Sequence, residues 1–187
     1  AGFVLQPSVR GAFEAMASAN AMGRQSAFTW TGPYGGGKSS AALVFAQLLS
    51  GNGPLHDAAV AVVGKELADQ LGTAFGRSPK GWRIVALSGR RGAMTEDLRG
   101  ALGLDAGQDP VAELIAMSKR ARHDGVLLLI DELGKYLEHA ALEGGDLHIL
   151  QDIAELGVRS DGRLLTVGIL HQSFERYASR LPRAVRD

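Results

Sequence analysis

The chain has 187 residues, 45% hydrophobic and 21% charged, a balance that favours one folded domain and excludes a disordered chain. Its 20 basic and 20 acidic side chains cancel, so no overall field draws it to nucleic acid or to a membrane surface. Cysteine is absent, which excludes disulfides and thiolate metal sites. Apolar runs such as 126–130 are far too short to span a bilayer, and we expect a cytoplasmic protein.

The predicted elements alternate between helices and strands. In chain order we predict a helix over 8–22, a strand over 26–31, helices over 39–49 and 57–76, a strand over 82–87, helices over 95–102 and 110–123, a strand over 126–130, helices over 133–142 and 147–158, a strand over 164–170 and a helix over 173–179. This order predicts an α/β fold, a mostly parallel sheet between two helical layers. We divide it into a leading helical segment, 1–25, and a core, 26–187. We expect both to belong to a longer polypeptide.

The strongest motif is Gly-Pro-Tyr-Gly-Gly-Gly-Lys-Ser at 32–39, which matches G-x-x-x-x-G-K-[ST] at every fixed position. Glycines let backbone N–H groups curl inward toward phosphate oxygens, and the following helix adds its free amides and positive dipole end. Lys38 is expected to reach the β- and γ-phosphates of ATP, and the Ser39 hydroxyl to bind Mg²⁺. The predicted nucleotide-binding residues are Gly32, Pro33, Tyr34, Gly35, Gly36, Gly37, Lys38, Ser39 and Ser40. A merely flexible glycine loop is the alternative.

A second motif is the apolar strand over 126–130 followed by Asp131 and Glu132. Ligands of α/β proteins bind beyond the carboxyl ends of the strands, so Asp131 is placed to contact the Mg²⁺ shell. Glu132 is then placed to orient and deprotonate the attacking water. The sequence therefore predicts a pair of acidic residues that completes the phosphate-binding loop.

A third motif is the polar end of the strand over 164–170, which runs into His171, Gln172 and Ser173. A polar side chain beside the acidic strand can sense the γ-phosphate, and both His171 and Gln172 are candidates. Ser173 fits a capping role at the next predicted helix.

These motifs resemble the additional-strand P-loop ATPases, the group that holds the AAA+ and STAND families. The resemblance rests on 32–40, 127–132 and 164–170, and it implies a P-loop NTPase core whose acidic and polar strands lie beside the loop strand. The segments 131–138 and 170–175 are similar to those of large bacterial ATPases linked to mobile elements or phage defence. The resemblance also implies that Glu132 drives hydrolysis.

Two parts that the resemblance implies have no match in the chain: a helical lid and an arginine finger from a neighbouring subunit. The candidate fingers are Arg159, Arg176, Arg180 and Arg183, and no motif selects one. We therefore expect weak activity from this segment alone, since an arginine finger contributes ~10³ or more in rate. Other domains of the same polypeptide and neighbouring copies are the expected partners. Nucleic acid is a partner by analogy only.

Three functions fit these motifs, and hydrolysis of Mg·ATP by a switch or motor domain is the one we predict. A small-molecule kinase would need an arginine-rich lid, which we do not find. A non-catalytic nucleotide-binding scaffold would not need Glu132. The turn over 88–92 is expected to be an exposed basic turn, with contact to a partner, a polynucleotide or a neighbour's nucleotide as the alternative. Lys135 is expected to pair with an acidic neighbour such as Glu138, or to touch a partner subunit.

Overall fold

A computed structural model describes residues 4–23, 25–143 and 148–172. Its elements are α1 (Pro7–Gly23), β1 (Ala27–Thr31), α2 (Lys38–Leu49), α3 (Pro54–Val63), α4 (Lys65–Ala74), β2 (Arg83–Ser88), α5 (Met94–Leu102), α6 (Pro110–Ser118), β3 (Val126–Asp131), α7 (Leu133–Glu143), α8 (His148–Val158) and β4 (Leu164–Leu170). None of the described helices has the length and apolar character that a membrane span needs.

The four strands form one sheet in the order β1-β4-β3-β2, and every neighbouring pair is parallel. Thr31 pairs with Leu170, Ile130 with Gly168, and Ser88 with Asp131, so all four strands end at the same edge. The residues that follow β1, β4 and β3 therefore emerge side by side, which is the placement that the sequence motifs require.

Helices cover both faces of the sheet, which confirms the predicted three-layer α/β architecture. On one face α1, α2 and α4 pack with Leu127 and Leu129 of β3 in a single hydrophobic cluster. On the other face, helices α5 to α8 pack with Val126, Leu128 and Ile130. These five residues of β3 are buried, as expected for a central strand covered on both sides.

The leading helix α1 packs directly on the core. The ring of Phe13 is fully buried, with its centroid 5.7 Å from Trp30 of β1 and 5.4 Å from Phe45 of α2. The indole N–H of Trp30 donates to the sulfur of Met16 at 3.2 Å. The strand that leads into the glycine-rich loop is thus held from the α1 side by aromatic packing.

Several predicted boundaries differ from the structure. The helix predicted over 57–76 is two helices, because Gly64 between them has φ 88°, outside the helical region. The helix predicted over 110–123 ends at Ser118. Beyond it the Arg163 guanidinium donates to the carbonyls of Arg120 and His123, which satisfies backbone that is no longer helical. The helix predicted over 173–179, and with it the capping role of Ser173, lies outside the described residues.

Candidate functional site

The glycine-rich loop joins the end of β1 to the start of α2. Gly35 and Gly37 have φ 75° and 76°, a left-handed backbone that glycine adopts without strain. The N–H of Gly36 donates to the carbonyl of Pro33 at 3.3 Å, which closes the loop in a tight turn. Gly37 stands at the N-cap of α2 and has no side chain to cap the first helical amides. The first amides of α2 therefore receive no capping side chain from Gly37, an arrangement in which a helix N-terminus can bind an anion.

The Lys38 ammonium is folded back onto the loop. Its Nζ donates to the carbonyl oxygens of Gly32 at 2.8 Å and Pro33 at 2.7 Å. The positive charge is thus held over the loop by two neutral acceptors, and no carboxylate neutralises it in these two bonds. A phosphate oxygen would be a stronger acceptor than either carbonyl, because its negative charge attracts the ammonium directly.

The acidic pair follows β3 as the sequence predicted. Asp131 is the last residue of β3, and its Oδ1 accepts from the N–H of Glu132 at 2.8 Å. Glu132 has φ 51°, a left-handed backbone that is uncommon outside glycine. Strain of this kind costs about 1–3 kcal/mol and concentrates at functional sites. Here the left-handed residue lies at the turn between β3 and α7.

A row of contacts connects the glycine-rich loop to this acidic pair. The Tyr34 ring stacks on the His171 imidazole, with centroids 3.6 Å apart and planes 19° from parallel. The Nε2 of the same His171 lies 3.9 Å from Oε1 of Glu132, the residue that follows the neighbouring strand β3. Both nitrogens of His171 are buried and have no hydrogen-bond partner among the described residues. The structure thus places His171 beside Glu132. Gln172 is half-buried, and none of the described contacts assigns it a role.

Gly89 was not among the predicted site residues, yet it fixes the backbone of Glu132. Its N–H donates to the carbonyl of Asp131 at 2.7 Å. A Cβ at this position would lie 2.1 Å from the carbonyl oxygen of Glu132, a distance that no side chain can accept. The only sequence clue was a glycine two residues after a predicted strand, which is also what an ordinary turn contains.

The turn over 88–92 is an exposed basic turn, as predicted, and one of its arginines, Arg90, also binds a carboxylate of α5. Arg90 donates from Nε and Nη2 to the Asp97 carboxylate, and the buried Tyr136 hydroxyl donates to Asp97 Oδ2 at 2.7 Å. The Arg90 hydrogen bond lowers the pKa of Asp97, while burial and then the Asp97 bond raise the pKa of Tyr136. This cluster braces α5 and α7 behind the acidic pair. Arg91 remains exposed, as predicted.

Replacing Asp97 with asparagine should destabilise the protein at neutral pH by about 1–3 kcal/mol, because hydrogen bonds to a charged acceptor are lost. The Asp97 pKa is lower in the folded than in the unfolded chain, so its contribution is complete above about pH 4 and disappears as the pH falls through the folded value. Urea unfolding followed by tryptophan fluorescence between pH 7 and pH 3 should therefore show a difference that shrinks only below about pH 4.

The matched control is Asp69→Asn, which breaks the exposed pair with Lys65 and should cost less than about 0.5 kcal/mol at every pH. Equal stability of wild type and Asp97→Asn at pH 7 would contradict a structural role for this carboxylate. A loss that persisted unchanged at pH 3 would show that its charge is not the source.

Lys135 pairs with an acidic neighbour, as predicted, and that neighbour is Glu132 rather than the example of Glu138. Its ammonium donates to Glu132 Oε2, and its backbone N–H donates to the Glu132 carbonyl at 2.9 Å. The side-chain bond is the main cause that raises the pKa of Lys135. Glu132 comes three residues before Lys135 but lies outside α7. The helical spacing rule favoured a partner within the helix and therefore did not select Glu132.

The residues present fit a magnesium ion of the kind that keeps most of its ligands outside the protein. Ser39 is exposed at the first turn of α2, and Asp131 is half-buried at the end of β3. Among the described residues, no three His, Asp or Glu side chains cluster in a way that would hold a metal by themselves. Mg²⁺ usually binds one or two carboxylates together with substrate phosphates and water, which is what this pair offers.

An open cleft of about 510 Å³ adjoins the glycine-rich loop. Val9 and Phe13 of α1, Trp30 of β1, and Gly32 and Gly36 of the loop are among its lining residues. This volume lies within the range of small-ligand sites. A second cleft of about 440 Å³, lined by Phe28, Leu150 and their neighbours, contains none of the predicted site residues.

Only one of the four candidate arginine fingers lies in the described part of the chain. Arg159 follows α8 and precedes β4, so it lies at the amino edge of the sheet, opposite the glycine-rich loop. It is exposed and pairs with Glu155 at 3.9 Å. Arg159 therefore cannot reach the loop of its own chain. Arg176, Arg180 and Arg183 lie outside the described residues.

Comparison with known proteins found no protein-family model that matches the chain and no matching curated protein. The function of the chain must consequently be inferred from the residues of the candidate site and their geometry. Those residues meet at one edge of one sheet.

Proposed function

We propose that the chain binds Mg·ATP at the glycine-rich loop and hydrolyses it to ADP and phosphate, as a member of the additional-strand P-loop ATPases. The observation that carries the proposal is the row of contacts from Tyr34 of the loop through His171 to Glu132. A loop shaped for an anion, a cation, and a carboxylate able to accept a proton from water lie at one edge of the sheet. That combination suits phosphoryl transfer to water.

Each residue has a defined part in this proposal. Loop amides and Lys38 hold the phosphates, and Ser39 and Asp131 would hold Mg²⁺, which supplies charge neutralisation when bound. Glu132 accepts the proton of the attacking water. His171, whose buried nitrogens lack partners among the described residues, is the side chain we assign to sensing the γ-phosphate. The 510 Å³ cleft beside the loop offers room for the nucleoside.

In this proposal the domain is a switch or motor element that works in the cytoplasm with other domains or neighbouring copies. Binding of ATP would draw Lys38 away from the Gly32 and Pro33 carbonyls and place a phosphate beside His171. Such a local change is how nucleotide state is commonly converted into movement of an attached partner.

The test is to incubate the 187-residue chain with Mg·ATP and to identify the products. Release of free phosphate, dependent on Mg²⁺, is the expected result. Transfer of the γ-phosphate to an added small-molecule acceptor would replace hydrolysis with a phosphotransferase activity. Saturable ATP binding without any product would indicate a nucleotide-binding scaffold.

A further inference from the structure

Side chains from two different elements lie next to the two oxygens of the Glu132 carboxylate, and one of them donates a hydrogen bond. Lys135, in the first turn of α7, donates to Oε2, while His171, just after β4, lies 3.9 Å from Oε1. Tyr34 of the glycine-rich loop stacks on this same imidazole, so the side chain beside Oε1 is in direct contact with the loop. Oε2 is turned toward α7.

The backbone of Glu132 is equally constrained. Its N–H is held by Asp131, its carbonyl accepts from the Lys135 N–H, and Gly89 packs against the same carbonyl. With the backbone fixed, the direction of the carboxylate depends on the side-chain torsions alone. An unpaired glutamate side chain that is 28% exposed would sample several rotamers.

We propose that Lys135 is a positioning residue for hydrolysis: it holds Glu132 Oε2 toward α7 and so keeps Oε1 directed at the water beside the γ-phosphate. This inference rests on the proposed ATPase function. In the reaction, Oε1 takes a proton from the water, the water oxygen forms the new bond to the γ-phosphorus, and the bond to the β–γ bridging oxygen breaks. Lys135 keeps its own proton throughout and touches neither nucleotide nor water.

The alternative is that this contact is an ordinary surface ion pair without a role in catalysis. The Lys135 side chain is 44% exposed, and exposed ion pairs add little stability. The two accounts differ in what they predict for catalysis. A positioning role affects kcat through Glu132 and leaves nucleotide affinity unchanged, because misplacing a reacting group by about 1 Å can cost ~10²-fold in rate. A merely structural pair affects neither.

The experiment compares steady-state ATP hydrolysis and Mg·ATP affinity for wild type, Lys135→Met and Lys135→Arg. Lys135→Met should lower kcat by about 10- to 100-fold. Its KM and Kd should stay within about threefold of wild type. Lys135→Arg keeps the positive donor and should recover most of the loss. Lys65→Met, which breaks an exposed lysine–carboxylate pair on α4, is the matched control and should leave kcat unchanged.

A double-mutant cycle shows whether Lys135 acts through Glu132. Single-turnover hydrolysis of radiolabelled ATP should be equally slow in Glu132→Gln and in Glu132→Gln/Lys135→Met, because the second substitution has no base left to misdirect. An unchanged or raised kcat in Lys135→Met would overturn the inference. So would a loss of equal size in both backgrounds, or a parallel loss of affinity. Wild type that never hydrolyses ATP would overturn the proposed function itself, and this inference with it.

Discussion

Replacing Lys38 with alanine should abolish measurable binding of Mg·ATP and leave the fold intact. A unit charge about 4 Å from a phosphate charge contributes about 4 kcal/mol at an effective dielectric constant of 20, which is roughly 10³-fold in Kd. The fold loses only the two hydrogen bonds to the Gly32 and Pro33 carbonyls. Isothermal titration calorimetry with Mg·ATP measures the affinity, and far-ultraviolet circular dichroism checks the fold.

The control for this substitution is Lys65→Ala, which removes a lysine that is 81% exposed and distant in sequence from the loop. It should bind Mg·ATP as wild type does. Equal affinity of wild type and Lys38→Ala would mean that any nucleotide binds elsewhere, with the 440 Å³ cleft on the opposite face as the next place to examine.

Glu132→Gln should separate binding from chemistry. Glutamine retains the size of the side chain and can occupy the same left-handed backbone, but it cannot accept the proton of the attacking water. We expect Mg·ATP affinity within about threefold of wild type, and a fall in kcat of about 10²- to 10⁴-fold, the usual contribution of a general base. Phosphate release under saturating ATP measures the effect.

Glu113→Gln is a closely matched control for this experiment. The Glu113 side chain is 26% exposed, and that of Glu132 is 28% exposed. Glu113 also pairs with a basic residue, Arg120, and it lies on α6, which covers the same face of the sheet as α7. Its turnover should be that of wild type. Full activity of Glu132→Gln would show that another group accepts the proton, and His171, 3.9 Å from the carboxylate, would become the first candidate.

Features that depend on local chemistry were predictable from the sequence. The glycine spacing over 32–37 and the apolar run over 126–130 each reflect a requirement of a few adjacent residues, and the structure places both as predicted. The parallel sheet followed from the alternation of elements. His171 was a candidate because any residue that ends a strand beside β3 must lie near the acidic pair.

Features that depend on residues distant in sequence were not predictable. The close approach of Gly89 to Glu132 arises from the register of β2 against β3, which no pattern within either strand specifies. The stack of Tyr34 on His171 joins residues that are brought together only by the pairing of β1 with β4. The identity of the Lys135 partner was missed for a different reason: the helical spacing rule was applied within α7, to Glu138, whereas Glu132 precedes that helix.

The order of the strands in the sheet also bears on how the protein folds. Every strand pairs in parallel with a neighbour distant in sequence, and β1 pairs only with β4, so that Ala27 lies beside Thr166. The four described strands form no hairpin that could serve as a local nucleus, and loops of this length must close before their contacts are formed, which makes such topologies slow to fold. During synthesis β1 emerges first but has no strand partner until β4 is made. The glycine-rich loop at the end of β1 is therefore held in place late, after β4 has docked between β1 and β3.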